Sequence, residues 1–390
     1  MTTPPAAAAR PRPRNRKGLI VEAAGQVFSE RGYHAASMEE IAAHVGITAA
    51  ALYRHFPNKY ALFAECANVI VDRLVAALDE TPPDAALKDV LAALTRVTVA
   101  HRVSGGFYRW EARYLDREDR RVLRGKFAHV VGRVAEAARR EYPVPDENLR
   151  AVAALGVIGS VTTYQTSIAR RRIEDVLLTS AMGVIATDPL AAEGGARRVE
   201  LPAQPVPRTR RAEILAAAIP LFARDGFANV TNGQIADAAG LAPSALYRYY
   251  PAKVDILVAA CLQAAGLLAQ AVDRSLQDAT DPREAVVALA ATYVAYSFMH
   301  NALTSVAEAE VAGMPADVRR PLILTQREHI AIWVQQLRAA RPELDPHQAR
   351  MLVHAGFGAG VEAGRRLRWQ DCDQHRGAVT ALVVGALGLL

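Results

Sequence analysis

The 390-residue sequence has few cysteines and few aromatic residues. Its three cysteines, Cys66, Cys261 and Cys372, form no Cys-x-x-Cys pair, so neither a disulfide framework nor a structural zinc site has support. Aromatic residues make up only 6% of the chain, and alanine, valine and leucine recur without the alternation typical of strands. The composition therefore predicts an all-α protein in a reducing compartment, with a cytoplasmic location as the expectation.

The sequence also lacks the patterns of membrane proteins and enzymes. Its N-terminal stretch "MTTPPAAAARPRPRNR" has no apolar core of a signal peptide, and we expect no membrane partner. No Ser/His/Asp or Cys/His constellation is discernible, so we expect neither an enzyme nor a cofactor. The run "DCDQH" at 371–375 places acidic, thiol and imidazole groups together, but neighbouring residues on a helix point apart, and we expect no metal.

Positive charge is concentrated at two points of the chain. The formal net charge is +6, and part of this positive excess is concentrated in the stretches "RPRPRNRK" (10–17) and "RTRR" (208–211). Flexible arginines of this kind can neutralise phosphates or enter a minor groove of DNA. For the first stretch, a disordered solubilising tail is the alternative.

A long internal repeat dominates the sequence. Shifted by 194 residues, positions 17–66 align with 211–260 without a gap, and 14 of the 50 positions are identical. The identities fall at glycines, at apolar residues with helical spacing and in the string "ALYRHFP", which returns as "ALYRYYP". A repeat of this length indicates a duplicated domain rather than a solenoid.

The rest of each half repeats less clearly. The Pro- and Gly-rich stretch from about 188 to 208 has the composition of a linker. Beyond the first repeat, "RAVAALGVIGSV" from Arg150 aligns with "RMLVHAGFGAGV" from Arg350 at an offset of 200 residues, which pairs Gly156 with Gly356. Each half therefore contains the same two modules in the same order.

Within a repeat the pattern predicts a helix-turn-helix. A first helix runs from about Lys17 to a glycine stop at Gly32, and a second begins at Ser37, which with Glu40 forms a capping box. Gly46 ends the second helix, and Thr48 caps a third after a turn of three or four residues. Apolar side chains of the third helix face the core, which leaves its small, aromatic and basic residues outside.

These units resemble the DNA-binding domain of the TetR family of transcriptional regulators. The matching residues are the Phe28…Gly32-Tyr33 helix end, Ser37…Ile41-Ala42…Gly46-Ile47, and Leu52-Tyr53-Arg54-His55-Phe56-Pro57…Lys59. The resemblance implies an all-α fold in which each half has a helix-turn-helix domain and a larger helical domain that binds a small effector and dimerises.

The resemblance also assigns roles to residues. In the first unit it implies base contacts from Thr48, Ala49, Ala50 and Arg54, and phosphate contacts from Ser37, Tyr53, His55 and Lys59. In the second it implies base contacts from Ala242, Pro243, Ser244 and Arg248, and phosphate contacts from Thr231, Tyr247, Tyr249 and Lys253. Arg16, Lys17, Arg210 and Arg211 of the basic stretches join the predicted DNA contacts. Arg54 and Arg248 are suited to bidentate guanine contacts.

The duplication suggests how the two halves are arranged. The glycine-dotted stretches near 147–169 and 347–368 resemble the family's dimerisation helices, so we expect the halves to pair inside one polypeptide about a pseudo-twofold axis. The alternative is that two chains still dimerise and present four DNA-binding units.

An effector site is expected in the larger domains. The lining residues that we predict are Arg109, Trp110, Arg113 and Tyr114 in the first half and Tyr293, Phe298 and Met314 in the second. The alternative is that the charged residues form surface ion pairs and that Trp110 lies in the core. The effector itself stays unidentified at this stage.

The predicted organisation is an arm (1–15), a DNA-binding domain (16–62), an effector and pairing domain (63–187), a linker (188–208), a second DNA-binding domain (209–256) and a second effector and pairing domain (257–390). The predicted function is a sequence-specific DNA-binding regulator, a repressor that a small molecule releases from a double-stranded DNA operator. The alternative is an interaction protein whose second helix-turn-helix no longer binds DNA and only completes the helical bundle.

Overall fold

A computed structural model of the protein describes residues 16–103, 114–190, 199–203, 205–277, 279–311, 314 and 316–389. Within these residues all regular secondary structure is helical, and no strand occurs. The prediction of an all-α protein built from two similar units is confirmed. The predicted arm at 1–15 and part of the linker lie outside the described residues.

The described part of the first half contains eight α-helices. They are α1 (Arg16–Ala35), α2 (Met38–Val45), α3 (Ala49–Tyr53), α4 (Lys59–Asp79), α5 (Leu87–Ala100), α6 (Arg117–Glu141), α7 (Glu147–Gly159) and α8 (Arg170–Ala186). A short 3-10 turn, Ser160–Thr162, follows α7.

The second half repeats this order of helices. They are α9 (Arg210–Asp225), α10 (Asn232–Ala238), α11 (Pro243–Leu246), α12 (Lys253–Gln277), α13 (Pro282–Met299), α14 (Asn301–Glu310), α15 (Ala316–Ala340), α16 (Pro346–Arg366) and α17 (Asp373–Ala386). Only α14 has no counterpart among the described residues of the first half. We call α1–α3 the first head and α9–α11 the second head.

Glycine stops and side-chain caps set the helix boundaries in the heads. Gly32 and Gly46 have φ angles of 74° and 76°, a region that favours glycine, and they interrupt α1 and end α2. In the second head Thr231 and Gln234 form a complete capping box. In the first head Ser37 accepts a hydrogen bond from the Glu40 amide at 3.0 Å, but the Glu40 carboxylate pairs instead with Arg31 at 3.0 Å.

The two halves pack against each other through a four-helix bundle. Helix α7 lies against α16, and α8 lies against α16 and α17, so one continuous core contains side chains of both halves. At the edge of this bundle the Arg172 guanidinium pairs with the Asp345 carboxylate at 2.5 Å. The Ser180 hydroxyl donates a hydrogen bond of 2.6 Å to the Ala386 carbonyl oxygen. The described helices therefore bury their small-residue faces between the halves.

One helix among the described residues, Lys253–Gln277, is long and apolar enough to cross a membrane by length and composition. This stretch departs from the expectation that the chain has no such segment. Its residues Leu257, Cys261 and Leu267 are buried in the core of the second half, and a core helix of a soluble protein passes the same test.

Candidate DNA interface and effector cavity

The third helix of the first head presents a small, polar and basic surface. The Thr48 hydroxyl accepts a hydrogen bond from the Ala51 amide at 3.2 Å and begins the helix, while Leu52 is fully buried beneath it. The opposite side is exposed, and Tyr53 has 47% of its surface accessible. Of the residues predicted to contact DNA here, Thr48, Ala50, Tyr53, Arg54 and His55 are exposed and Ala49 is half-buried. A slim leading edge followed by donors suits a major groove and its phosphates.

The corresponding helix of the second head is shorter. It spans Pro243–Leu246, and Ala242 makes no side-chain cap at its start. Pro243, Ser244 and Arg248 are exposed, whereas Tyr249 is half-buried. The Tyr247 hydroxyl accepts a hydrogen bond of 3.0 Å from the Asn232 side chain. The two heads therefore offer different surfaces.

The lysine that follows each third helix forms hydrogen bonds within its own head. The Lys59 ammonium donates to the backbone carbonyls of Tyr33 at 2.8 Å, His34 at 3.2 Å and Ala36 at 3.0 Å. It also lies 4.7 Å from the centroid of the Tyr33 ring. All three ammonium donors are thus engaged inside the head, which differs from the phosphate contact implied by the resemblance.

Lys253 repeats this arrangement in the second head. Its ammonium donates to the carbonyls of Phe227 at 2.6 Å and Val230 at 2.6 Å and lies 4.4 Å from the Phe227 ring centroid. In both heads the lysine ties the start of the fourth helix to the turn between the first two helices. Both ammonium groups therefore have hydrogen-bond partners within their heads, and the phosphate contacts implied for Lys59 and Lys253 stay predictions.

Two of the basic residues at the start of the first helices are also engaged within their heads. Lys17 pairs with Glu65 at 2.7 Å and lies 5.5 Å from the Phe56 ring centroid. Arg211, at the matching position, donates to the Tyr249 carbonyl at 2.7 Å and lies 4.2 Å from the Tyr250 ring centroid. These contacts attach the first helix to the aromatic residue behind the third helix, a role that the sequence did not suggest.

The remaining predicted phosphate contacts differ in their availability. Arg210 is exposed and pairs with Glu213 at 2.7 Å, and Arg16 is half-buried. Ser37 is half-buried and uses its oxygen as an acceptor for the Glu40 amide, which leaves its hydroxyl proton to donate. The Thr231 hydroxyl is exposed but donates to Gln234 at 3.0 Å.

A cavity of about 1000 Å³ is lined mostly by residues of the second half, and residues of the first half and of both heads complete its wall. Tyr114, Tyr293 and Met314, three of the residues predicted to line an effector site, are in its wall. Phe298 is not: it is buried in the core with its ring 5.3 Å from that of Trp369, because its helix turns this face away from the cavity. Predicted residues Arg109, Trp110 and Arg113 lie outside the described residues.

Two imidazoles lie in the wall of the cavity among aromatic rings. His354 stacks on Tyr164 of the first half, with ring centroids 4.2 Å apart, and His329 lies parallel to Phe357 at 6.0 Å. The His329 Nε2 atom accepts a hydrogen bond of 3.2 Å from the Trp333 indole. Burial lowers the pKa of both histidines to about 4, and the nearby Arg350 adds to this effect for His354. Both rings are therefore neutral near pH 7.

No motif in the sequence points to these two residues. Neither histidine belongs to a sequence motif, and for such a histidine a surface position or a satisfied core position is the ordinary expectation. Their common location arises only because α15 and α16 pack side by side and because Tyr164 comes from the other half of the chain.

The first head has an additional attachment to its larger domain. The Tyr60 hydroxyl donates to the Asp119 carboxylate at 2.5 Å and accepts from the Asp116 amide at 3.0 Å. Burial and the Asp119 hydrogen bond raise the pKa of Tyr60 above its usual range. Val254 occupies the matching position of the second head, has no hydroxyl, and lies in the wall of the cavity. The helix below the second head is thus in contact with the cavity.

The run "DCDQH" has structural contacts of its own. Asp371 pairs with Arg376 at 2.6 Å, and the His375 ring contacts the Gln370 carbonyl at 2.7 Å. Over the ranges that the structure describes, no group of three or more His, Cys, Asp or Glu residues is placed to hold a metal ion.

The fold and the exposed third helices define a protein with two helix-turn-helix domains. Comparison with known families matches residues 20–66 and 214–260 to the family described as bacterial regulatory proteins, tetR family. The matched segments are the two heads with the start of the helix that follows each. The chain therefore contains two domains that match the N-terminal domain of this family, one in each half.

Characterised relatives match over one short segment. The chain is 44% identical over 61 residues to the HTH-type transcriptional activator FasR of Mycolicibacterium smegmatis, a match that covers 16% of this chain and 28% of FasR. It is 37% identical over 67 residues to the nucleoid occlusion factor SlmA of Photorhabdus laumondii, covering 17% of this chain and 34% of SlmA. The chain therefore spans about a third or less of the length of these relatives.

Solved structures of TetR-type regulators are also similar to one half of the chain. The ketosteroid transcriptional regulator KstR2 of Mycobacterium tuberculosis is 22% identical, with a TM-score of 0.41, over 49% of this chain and 97% of that protein. A TetR-family transcriptional regulator from Bordetella parapertussis is 22% identical, with a TM-score of 0.41, over 46% of this chain and 95% of that protein.

Proposed function

We propose that the chain is a cytoplasmic, non-enzymatic transcriptional repressor that binds a DNA operator with two unlike heads and leaves it when a small molecule binds. The observation that carries the proposal is the presence of two exposed third helices of the TetR type in one polypeptide whose halves share a single core. Ordinary recognition by this motif needs two heads, because one helix contacts too few base pairs. Here one chain supplies both.

In the first head, we propose that Thr48, Ala49, Ala50 and Arg54 face the bases. Arg54 is exposed directly behind the helix, and a guanidinium can donate two hydrogen bonds to one guanine, worth about 1–3 kcal/mol of discrimination. Ser37, Tyr53 and His55 flank this edge and are suited to phosphates, as is Arg16. Lys17 and Lys59 act indirectly, by holding the head together.

In the second head, Pro243, Ser244 and Arg248 form the base-reading edge, with Thr231, Tyr247, Tyr249 and Arg210 beside it. Lys253 and Arg211 have the same internal role as their counterparts in the first head. Because the leading residues and the cap differ between the heads, the two half-sites are expected to differ in sequence. The operator is then not a palindrome.

We further propose that the domain boundaries lie near residues 62/63 and 256/257, with the linker at 188–208. Helices α4 (Lys59–Asp79) and α12 (Lys253–Gln277) run across both boundaries, so each head shares a continuous helix with its larger domain. A ligand that displaces such a helix also displaces the head. This movement would explain how effector binding releases the protein from DNA. The coupling between ligand and operator in such systems is typically ~1–3 kcal/mol.

The test of this proposal is selection of bound sequences from random duplex DNA, followed by the mass of the complex on the selected site. One chain on a site with two unlike half-sites supports two heads reading within one polypeptide. Two chains on a palindrome would overturn it. Transcription in vitro from a promoter carrying the selected site then tests repression, and a rise in transcript on adding protein would identify an activator instead.

A second candidate function is an interaction protein in which only the first head reads DNA. The short helix Pro243–Leu246, its uncapped start and the engagement of Tyr247 by Asn232 favour this candidate. The variants Arg54→Ala and Arg248→Ala separate the two functions on the selected site. Comparable losses of affinity support two reading heads, whereas a loss confined to Arg54→Ala supports the scaffold.

A further inference from the structure

The cavity of about 1000 Å³ has walls from both halves of the chain. The turn between the first two helices contributes from each head: Tyr33 and His34 from the first, Phe227 and Ala228 from the second. These are the turns whose carbonyl oxygens Lys59 and Lys253 hold. An occupant of the cavity therefore contacts the same structural element of both heads.

The interior of the cavity is mainly apolar and aromatic. Leu257, Leu322 and Ile330 line it together with the rings of Tyr293 and Phe357, which stack with centroids 4.6 Å apart. A pocket of this size and composition lies at the upper end of the range for small-molecule sites, which is about 300–1000 Å³. The body of a ligand that fills it must be apolar, because each buried polar group without a partner costs free energy.

One polar group in the wall is available to a ligand. Neither ring nitrogen of His354 has a hydrogen-bond partner within the described part of the chain, although stacking on Tyr164 holds the ring in place. Neutral imidazole offers one donor and one acceptor, so it matches a hydroxyl, carbonyl or amine group.

Charge on the ligand is unfavourable at this position. Burial holds the pKa of His354 and His329 near 4, which means that the surroundings destabilise a buried positive charge. The Glu362 carboxylate also lines the cavity but is paired with Arg365 at 3.1 Å, so it is burial itself that disfavours an unpaired negative charge here. Both signs of charge are therefore disfavoured next to the imidazoles.

We propose that the cavity is a single ligand site shared by both heads, and that it binds a neutral, mostly apolar small molecule whose hydrogen-bonding group meets His354. As the effector site of the proposed repressor it rests on that function, but ligand binding itself can be measured without DNA. The experiment uses the full chain and a pair of fluorescent probes with the same ring skeleton. N-phenyl-naphthylamine is neutral, and anilinonaphthalene sulfonate carries one negative charge.

The expected result is saturable binding of one N-phenyl-naphthylamine per chain, about tenfold or more tighter than the sulfonate. Filling the cavity with Ala265→Trp should weaken the neutral probe by about tenfold, whereas Gln270→Trp, on an exposed position of the same helix, should not. Removing the polar group with His354→Leu should weaken binding several-fold, and the exposed His347→Leu on the same helix is its control. Equal or tighter binding of the sulfonate would overturn the ligand class.

The shared wall has a separate test in the first head. Ala35 lines the cavity and is exposed, so Ala35→Trp changes the entrance of the cavity without disturbing the core of the head. Ala43→Trp, at an exposed position of the same head, is the control. Weaker probe binding only in Ala35→Trp supports a site shared by the heads. Identical binding in both variants confines the site to the second half and overturns the shared wall.

The consequence for the heads can be measured as a distance. Ala43 and Asp237 are matching exposed positions on α2 and α10, so spin labels at Ala43→Cys and Asp237→Cys report the separation of the heads. The exposed Cys372 is replaced in a Cys372→Ser background, whereas Cys66 and Cys261 are buried and are kept. A shift of the distance distribution on adding N-phenyl-naphthylamine is expected, and Ala265→Trp should abolish it. Binding without any shift would overturn the coupling to the heads. Failure of DNA binding with intact probe binding would instead count against the proposed function alone.

Discussion

Gly156 of the first half and Gly358 of the second lie against each other where α7 crosses α16. A Cβ atom built on either residue would collide with the carbonyl oxygen of the other, so the two backbones are in direct contact. A second crossing repeats the relationship, since a Cβ atom on Gly183 would lie 2.6 Å from the carbonyl oxygen of Gly385. Both pairs are separated by 202 positions in the sequence, so the two crossings share one register.

Replacing Gly156 by alanine should therefore separate the halves and destabilise the protein. Overpacking a close contact costs about 1–3 kcal/mol, and here the obstacle is a backbone carbonyl that cannot rotate away. The measurement is the free energy of unfolding by denaturant. Gly132→Ala is the matched control, because a Cβ atom at this exposed position of α6 meets nothing within 4 Å.

The control should be neutral or stabilising, by up to about 1 kcal/mol, since alanine is the better helix former. If Gly156→Ala is as stable as Gly132→Ala, the close crossing of α7 and α16 does not exist in solution.

The sequence predicted close packing at the glycine-dotted stretches but not its register. Alignment of the halves pairs Gly156 with Gly356, whereas the crossing pairs Gly156 with Gly358. An alignment identifies residues that occupy equivalent positions in the two halves. Two equivalent residues contact each other across a twofold axis only if they lie on that axis. The Gly356 position instead packs beside Val383 of α17 and Leu387 at the end of that helix, a contact that depends on the neighbouring helix.

Substitutions of Lys59 and Arg54 should have different effects, because Lys59 stabilises the first head and Arg54 contacts DNA in the proposed complex. Lys59→Met removes three hydrogen bonds to backbone carbonyls and leaves them without a partner, so the unfolding free energy should fall by about 1–3 kcal/mol. Arg54→Ala removes an exposed side chain and should leave stability within about 0.5 kcal/mol. Denaturation and DNA titration are measured on both variants.

The DNA titration should show a loss of about 1–3 kcal/mol for Arg54→Ala that depends on the base at one position of the site. If Lys59→Met keeps full stability and reduces only the salt dependence of DNA binding, Lys59 contacts a phosphate after all.

The heads illustrate what sequence patterns reveal and what they miss. Glycine stops, caps and buried faces of α1–α3 follow from local rules, and the structure reproduces them within a few residues. The internal contacts of Lys59 and Lys17 could not be predicted in this way, because each joins residues more than 20 positions apart. A long side chain that reaches a carbonyl cluster has the same sequence signature as one that reaches a phosphate.

Tyr60 should fix the first head to its larger domain through its hydroxyl. Tyr60→Phe keeps the ring but leaves the Asp116 amide without its acceptor, and we expect a loss of about 1 kcal/mol. Hydrogen exchange of the Asp116 amide, which donates to the hydroxyl, should accelerate in the variant. Tyr142→Phe is the control, since no described residue forms a hydrogen bond with the Tyr142 hydroxyl. Unchanged exchange at Asp116 would show that this attachment is not formed in solution.

His329 and His354 should make the protein less stable in mild acid. In the folded chain their pKa is about 4, and in the unfolded chain it returns to about 6.5. Between these values the unfolded chain binds more protons, so the free energy of unfolding falls as the pH drops from about 6.5 towards 4, by at most about 1.4 kcal/mol per pH unit for each histidine. Above pH 6.5 both states are neutral and this contribution is constant.

Urea denaturation at several pH values between 4 and 7 measures this slope. His354→Phe retains a ring to stack on Tyr164 and removes one titrating group. The slope of the unfolding free energy against pH should therefore decrease by the amount that corresponds to about one proton. His347→Phe changes an exposed histidine of the same helix and should leave the slope as it is. If the pH dependence of the unfolding free energy is the same in His354→Phe as in the unaltered chain, His354 is solvated. A solvated imidazole would also remove the reason to expect a neutral ligand beside it.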